Sequence, residues 1–116
     1  LPDGLIVIDE AGMVLLVNVA TELLFGYHRS RLVGESVHML LAPSLRAMHD
    51  GHLASFFENP SMRPMALARH LPALHASGRT IMVQISIGPL ISEAGVFGLA
   101  IVRRVTPAPA GAHGVG

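Results

Sequence analysis

The spacing of apolar residues changes along the chain, and each change predicts a different element. Residues 5–8, Leu-Ile-Val-Ile, and residues 13–17, Met-Val-Leu-Leu-Val, are nearly continuous apolar runs. Between them lies the acidic turn Asp9-Glu10-Ala11-Gly12. Two short β-branched runs around such a turn predict a β-hairpin. Their continuity, rather than alternation, predicts strands covered on both faces. From Asn18 the pattern is helical. An Asn N-cap, Glu22 early in the helix and Gly26 as the stop predict two turns over the stretch beginning at Val19. Residues 28–42, of mixed polarity with Gly34 among them, predict one or two brief helical turns. The stretch LRAMHDGHLASFF, residues 45–57, follows Pro43 and precedes Asn59-Pro60, which places a longer amphipathic helix there. Leu45, His49, Leu53 and Phe56, spaced by four, four and three, share its apolar stripe, with His52 at the margin.

After residues 59–64 the period becomes two. Ile81, Val83, Ile85 and Ile87 alternate with Thr80, Met82, Gln84 and Ser86, which predicts a half-buried strand over 79–88. Residues 65–76 are its expected antiparallel partner, joined through Ala76-Ser77-Gly78; Pro72 implies an edge position or a bulge. Residues 95–105 form a last strand. The predicted class is α+β: a five-stranded antiparallel sheet with short helices packed across one face, in one domain spanning residues 1–106. Residues 107–116, rich in Pro, Ala and Gly, are expected to be a linker or disordered tail. The gap between sheet and helices is where a small-molecule pocket would form. Apolar residues at successive positions of 5–8 and 96–102 place hydrophobic side chains on both sheet faces, and the helices can cover only one. The outer face, with Leu5, Val7, Met82, Phe97, Leu99 and Ile101, is therefore expected to pair with a second copy as a homodimer.

Composition narrows the functional classes. The chain has 116 residues, 51% hydrophobic, enough for one sizeable core. Net charge is zero and the eight cations, all arginine, are scattered, which argues against direct nucleic-acid binding and against a membrane surface. No run approaches a membrane span. A cytoplasmic location is expected; Leu1 is not a native start, so the chain is expected to be a piece of a longer protein. The absence of cysteine removes disulfides, thiolate catalysis and Cys-ligated metals. There is no Ser-His-Asp order, phosphate-binding loop or nucleotide fingerprint. Asp9 and Glu10, adjacent in a turn, do not aim two carboxylates at one atom, and His49-Asp50 reads as helix surface; the expectation is a non-enzymatic protein. His49 and His52 have a spacing that permits two metal ligands, but the third must come from elsewhere. His28, His38, His70, His75 and His113 are dispersed in sequence, so no metal site is expected. Met39, Met48, Met62 and Met65 fall around the pocket helices, where they suit either an adaptable cavity or an ordinary core.

The order of elements meets specific residues. PDGLIVIDEAGMVLLVN, ATELLFGY, RLVGESVHMLLAP, SGRTIMVQISIGPL and IVRRVT together resemble a PAS sensory domain over residues 1–106. Asp9, Gly12, Asn18, Ala20, Glu22, Phe25, Gly26, Tyr27, Leu32 and Gly34 stand where the family's first motif has them. Gly78 and the alternating strand match a second, with Ser77 in place of its usual acid. The resemblance implies a module that senses a ligand or mediates pairing and passes its state to an attached effector. That effector would be a histidine kinase, a diguanylate cyclase or a LuxR-type helix-turn-helix regulator, as in two-component and transcription-regulatory proteins. The chain would leave through Arg103-Arg104-Val105-Thr106, with Arg104 in place of the family's Asp. The implied ligand is a small apolar molecule held by Phe25, Met39, Leu45, Met48, His49, His52, Leu53, Phe56, Met65, Leu67, Arg69, Val83, Ile85 and Ile87. A flavin–cysteine adduct or thioester chromophore is excluded by the missing cysteine; without Trp and with a single Tyr, Tyr27, redox partners for a flavin are missing too.

The helix at 45–57 is also similar to that of oxygen-sensing heme PAS domains, which carry their axial histidine in an R-x-x-H-D or R-H-D context. By that similarity His49 would ligate heme iron, Arg69 would reach bound oxygen, and Ile85 and Ile87 would line the distal side. Ser55 stands where those sensors have an arginine facing a propionate. Ala66 and Ala68 replace loop glycines, and Arg63 replaces a propionate-contacting histidine, though its guanidinium suits a carboxylate. The alternative is an ordinary helix histidine beside apolar neighbours, its polar edge satisfied. The departures weigh toward that alternative.

Overall fold

The computed structural model describes residues 3–62 and 70–105. In chain order these form β1 (Gly4–Ile8), β2 (Val14–Val17), α1 (Val19–Phe25), α2 (Arg29–Leu32), 3-10 turns at Val37–Leu40 and Pro43–Leu45, and α3 (Arg46–Glu58). Then come β3 (Leu71–Leu74), β4 (Thr80–Ser92) and β5 (Gly95–Arg104). The strands make one antiparallel sheet in the order β2-β1-β5-β4-β3. The fold is α+β, a five-stranded antiparallel sheet with its short helices on one face.

The hairpin and α1 are locked by one side chain. Asn18 caps α1: its Oδ1 accepts from Thr21 N at 3.0 Å and also from Leu5 N at 2.9 Å, while its Nδ2 donates to the Asp3 carbonyl at 3.0 Å. A cap normally satisfies only its own helix; this one also completes the strand below. Thr21, fully buried, has its hydroxyl 3.0 Å from the Leu5 carbonyl. A Cβ at position 4 would meet that hydroxyl at 3.0 Å, so glycine at Gly4 makes the close approach possible. Gly26 ends α1 in the left-handed region at φ 79°, which glycine adopts without a Cβ clash.

The core lies between the inner sheet face and the helices. Ile6, Ile8, Val83 and Val102 rise from the sheet against Phe25, Leu32, Leu40 and Leu53. Ile81, Val83, Ile85 and Ile87 share this face, as the alternation predicts. Three expectations change. β2 is not covered on both faces: Leu15 and Leu16 are 43% and 50% exposed, because β2 is an edge strand whose register shifts at a bulge. Among the described residues of the expected strand 65–76, β3 covers 71–74 and leaves out 70, 75 and 76; residues 65–69 lie outside the described residues. Pro72 does sit on an edge strand, where a missing ladder N–H is tolerated. β4 continues past residue 88 to Ser92, with Pro89 in register opposite Gly98 and the exposed Leu90 and Ile91 near the hairpin tip.

Candidate functional site

α3 crosses the inner sheet face without filling the space beneath it. A cavity of about 450 Å³ remains there, within the range typical of small-molecule sites. Phe25, Leu45, Met48, His49, His52, Leu53, Phe56, Val83, Ile85 and Ile87 all line it, so the predicted α3 stripe and the alternating strand converge. Met65, Leu67 and Arg69 lie outside the described residues. Met39 packs against the hydrophobic core and is not among the side chains that wall the cavity. It stands on a 3-10 turn, where residues three apart eclipse. Val37 and Leu40 are the pair that faces the cavity, and Met39 falls between them.

Other walls were missed in the sequence. Ile6 and Ile8 of β1, Ala100 and Val102 of β5, and Leu71 and Ala73 of β3 also line the space. The outer-face assignment of Leu5 and Val7 already implied that Ile6 and Ile8 point inward; that they reach this cavity depends on the long-range pairing of Ile6 with Ala100 and Ile8 with Gly98.

The lining is apolar except for a few groups on α3, among them His49, His52 and Ser55. His49 is half-buried, and its Nδ1 is buried with no hydrogen-bond partner. The ordinary-histidine alternative assumed a satisfied polar edge, and this nitrogen lacks one. Burial pushes the His49 pKa below its ordinary value; His38 adds to that and Asp50 opposes it. The ring of His38, on the first 3-10 turn, meets the His49 ring edge-on at 5.8 Å. His38 Nε2 lies 2.6 Å from Asp50 Oδ1, and Arg46 Nε donates to the His38 carbonyl at 3.1 Å. In the β1–β2 turn, Asp9 Oδ1 accepts from Ala11 N and Met13 N, closing the turn, as its position in the hairpin suggested.

On the other sheet face, Leu5 pairs with Ile101 and Val7 with Leu99, giving a half-buried apolar strip along β1 and β5. Phe97, also half-buried, pairs with Leu90. Met82, opposite Pro72, is 38% exposed.

A curled antiparallel sheet with a ligand-sized hollow under its crossing helix defines a sensory-type domain. The PAS fold family model matches residues 1–104, and the chain belongs to that family. Among curated proteins it is 27% identical over 106 residues to the sensor protein FixL of Bradyrhizobium diazoefficiens, covering 91% of this chain and 21% of that protein. It is 29% identical over 100 residues to the oxygen sensor protein DosP of Escherichia coli, covering 86% of this chain and 12% of that protein. The chain thus spans a small part of either relative. Among solved structures it resembles the PAS domain of a Colwellia psychrerythraea protein, with a TM-score of 0.78 and 25% identity over 91% of this chain and 88% of that one.

Proposed function

We propose that this PAS domain is a non-enzymatic cytoplasmic sensor that takes a small, largely apolar ligand into the hollow beneath α3. Binding would bias the packing of β5, whose end leads toward the effector in the longer protein. The observation that carries the reading is the cavity of about 450 Å³, walled by apolar side chains and approached by the unpaired imidazole of His49. A ligand acts here only by preferring one arrangement of α3 and β5 over another. Among the described residues no helix is long and apolar enough to cross a membrane, in keeping with this reading. The apolar strip of Leu5, Val7, Leu99 and Ile101 supports pairing of two copies through the outer sheet face, beside the attached effector. Native mass spectrometry of protein purified without added ligand tests the reading. A retained small molecule near one per chain supports it; its absence under gentle conditions, together with a stable dimer, favours a module that only pairs.

A second reading, heme, is favoured by the orphaned Nδ1 of His49 and by the similarity to a protein named as an oxygen sensor. His49 would hold the heme through its imidazole, with Ile85 and Ile87 forming part of the apolar wall around it. Bound there, heme would supply an iron centre responsive to diatomic gases. The chain's part is to present a neutral imidazole and to exclude water with the surrounding aliphatic side chains. Titration with hemin should give a sharp Soret band at one heme per chain that collapses in His49→Ala. No such band, or one unchanged in the variant, removes heme.

A further inference from the structure

The sequence offers His49 and His52 as a pair of ligands in need of a third; the fold brings together a different set. His38, His49 and Asp50 place one donor atom each within 4.8 Å of the others. We infer that His38, His49 and Asp50 form a site for a divalent transition-metal ion of the zinc class, beside the ligand cavity. Two imidazoles and one carboxylate suit Zn²⁺ and its neighbours, leaving a fourth position open. They do not suit Mg²⁺ or Ca²⁺, which prefer oxygen ligands.

Geometry permits the closure. Zn–N bonds of about 2.0–2.1 Å put tetrahedral ligand atoms about 3.3 Å apart. The His38–Asp50 contact of 2.6 Å must open slightly, and the wider pairs, all within 4.8 Å, must draw in by at most roughly 1.5 Å. Both mobile partners have room: their side chains are 32% and 64% exposed. His49 is the fixed member, set half-buried on α3. An independent observation points the same way, since His49 Nδ1 is buried without a hydrogen bond, and buried polar atoms normally have a partner. An ion at this point would join the first 3-10 turn to α3. Val37 and Leu40 of the turn and six or more side chains of α3 wall the cavity, so the ion would stiffen the wall that a ligand must move.

Zinc and heme would both draw on His49, so the inference concerns the heme-free protein, and His38 and Asp50, which the heme reading does not use, tell the two apart. Heme-free protein stripped with chelator is titrated with zinc chloride by calorimetry and thermal melting. One ion should bind per chain and raise the melting temperature, while magnesium chloride does neither. His38→Gln and Asp50→Asn, at partly exposed positions that tolerate change, should each weaken zinc binding at least about tenfold. His70→Gln, an exposed histidine elsewhere, should leave it unchanged. No binding at this stoichiometry, or binding undiminished in both site variants, overturns the inference. A lost hemin response with intact zinc binding would remove the heme reading alone.

Discussion

Two helices meet the same sheet face and treat polar atoms in opposite ways. Where α1 lies on β1, Asn18 and Thr21 exchange hydrogen bonds with the strand, and Thr21 is fully buried without an unmet group. Where α3 crosses β4 and β5, a hollow is left, and among the described residues the buried side-chain polar atom without a partner is His49 Nδ1. α3 also carries Gly51 in its interior and an exposed apolar Met48. A satisfied polar network fixes one arrangement; an unsatisfied one over a void is an arrangement that a ligand can improve. The first helix anchors the fold, and the second is where it can answer.

The contrast can be broken at several points. The largest effect is expected in the anchor. Asn18→Ala removes a helix cap and strips the Leu5 N–H of its acceptor, and should destabilise by about 3 kcal/mol in urea unfolding. A loss below about 1 kcal/mol would mean that the network is ornamental. His49→Leu should behave differently, holding the ligand-free fold within about 1 kcal/mol of wild type, because it replaces an unpaired polar group with an apolar one.

The same pair should differ in pH response. Burial keeps the folded-state pKa of His49 below its ordinary 6.5, so the unfolded chain takes up that proton first. Stability is then fully present above about pH 6.5 and lost as pH falls toward the folded pKa. Thermal melts from pH 7 to pH 5 should decline more steeply in wild type than in His49→Leu; parallel curves would contradict the assignment. The smallest effect is Gly51→Ala. Nothing lies within 4 Å of the added Cβ, so it should stabilise α3 by about 0.5–1 kcal/mol. It should also slow amide exchange there without touching α1.

The fold was more legible in the sequence than the site. Asn18, Glu22 and Gly26 mark both ends of α1, and the alternation from Thr80 to Ile87 declares which side of β4 is buried, because these signals act within a few residues. The α3 stripe likewise gave one wall of the cavity. The opposite wall was only partly legible: placing Leu5 and Val7 outside left Ile6 and Ile8 inside, but strand pairing distant in sequence decides that they wall the same cavity as β5. The helical spacing that served for α3 does not hold for the tighter turn carrying Met39. His38 was missed for a different reason. Eleven residues and a chain reversal separate it from His49, so no local pattern could bring their rings to 5.8 Å.

The central claim is that the space under α3 is a real, accessible hollow and not a collapsed core. Isoleucine-methyl NMR under xenon pressure tests this directly, because xenon enters apolar cavities that stay free of water. Ile85 and Ile87 line the hollow, whereas Ile101 lies on the outer face and Ile91 near the hairpin tip. The account predicts saturable shifts at Ile85 and Ile87 with Ile91 and Ile101 unmoved. Methyl signals that all stay still, or that move together on both faces, would contradict it.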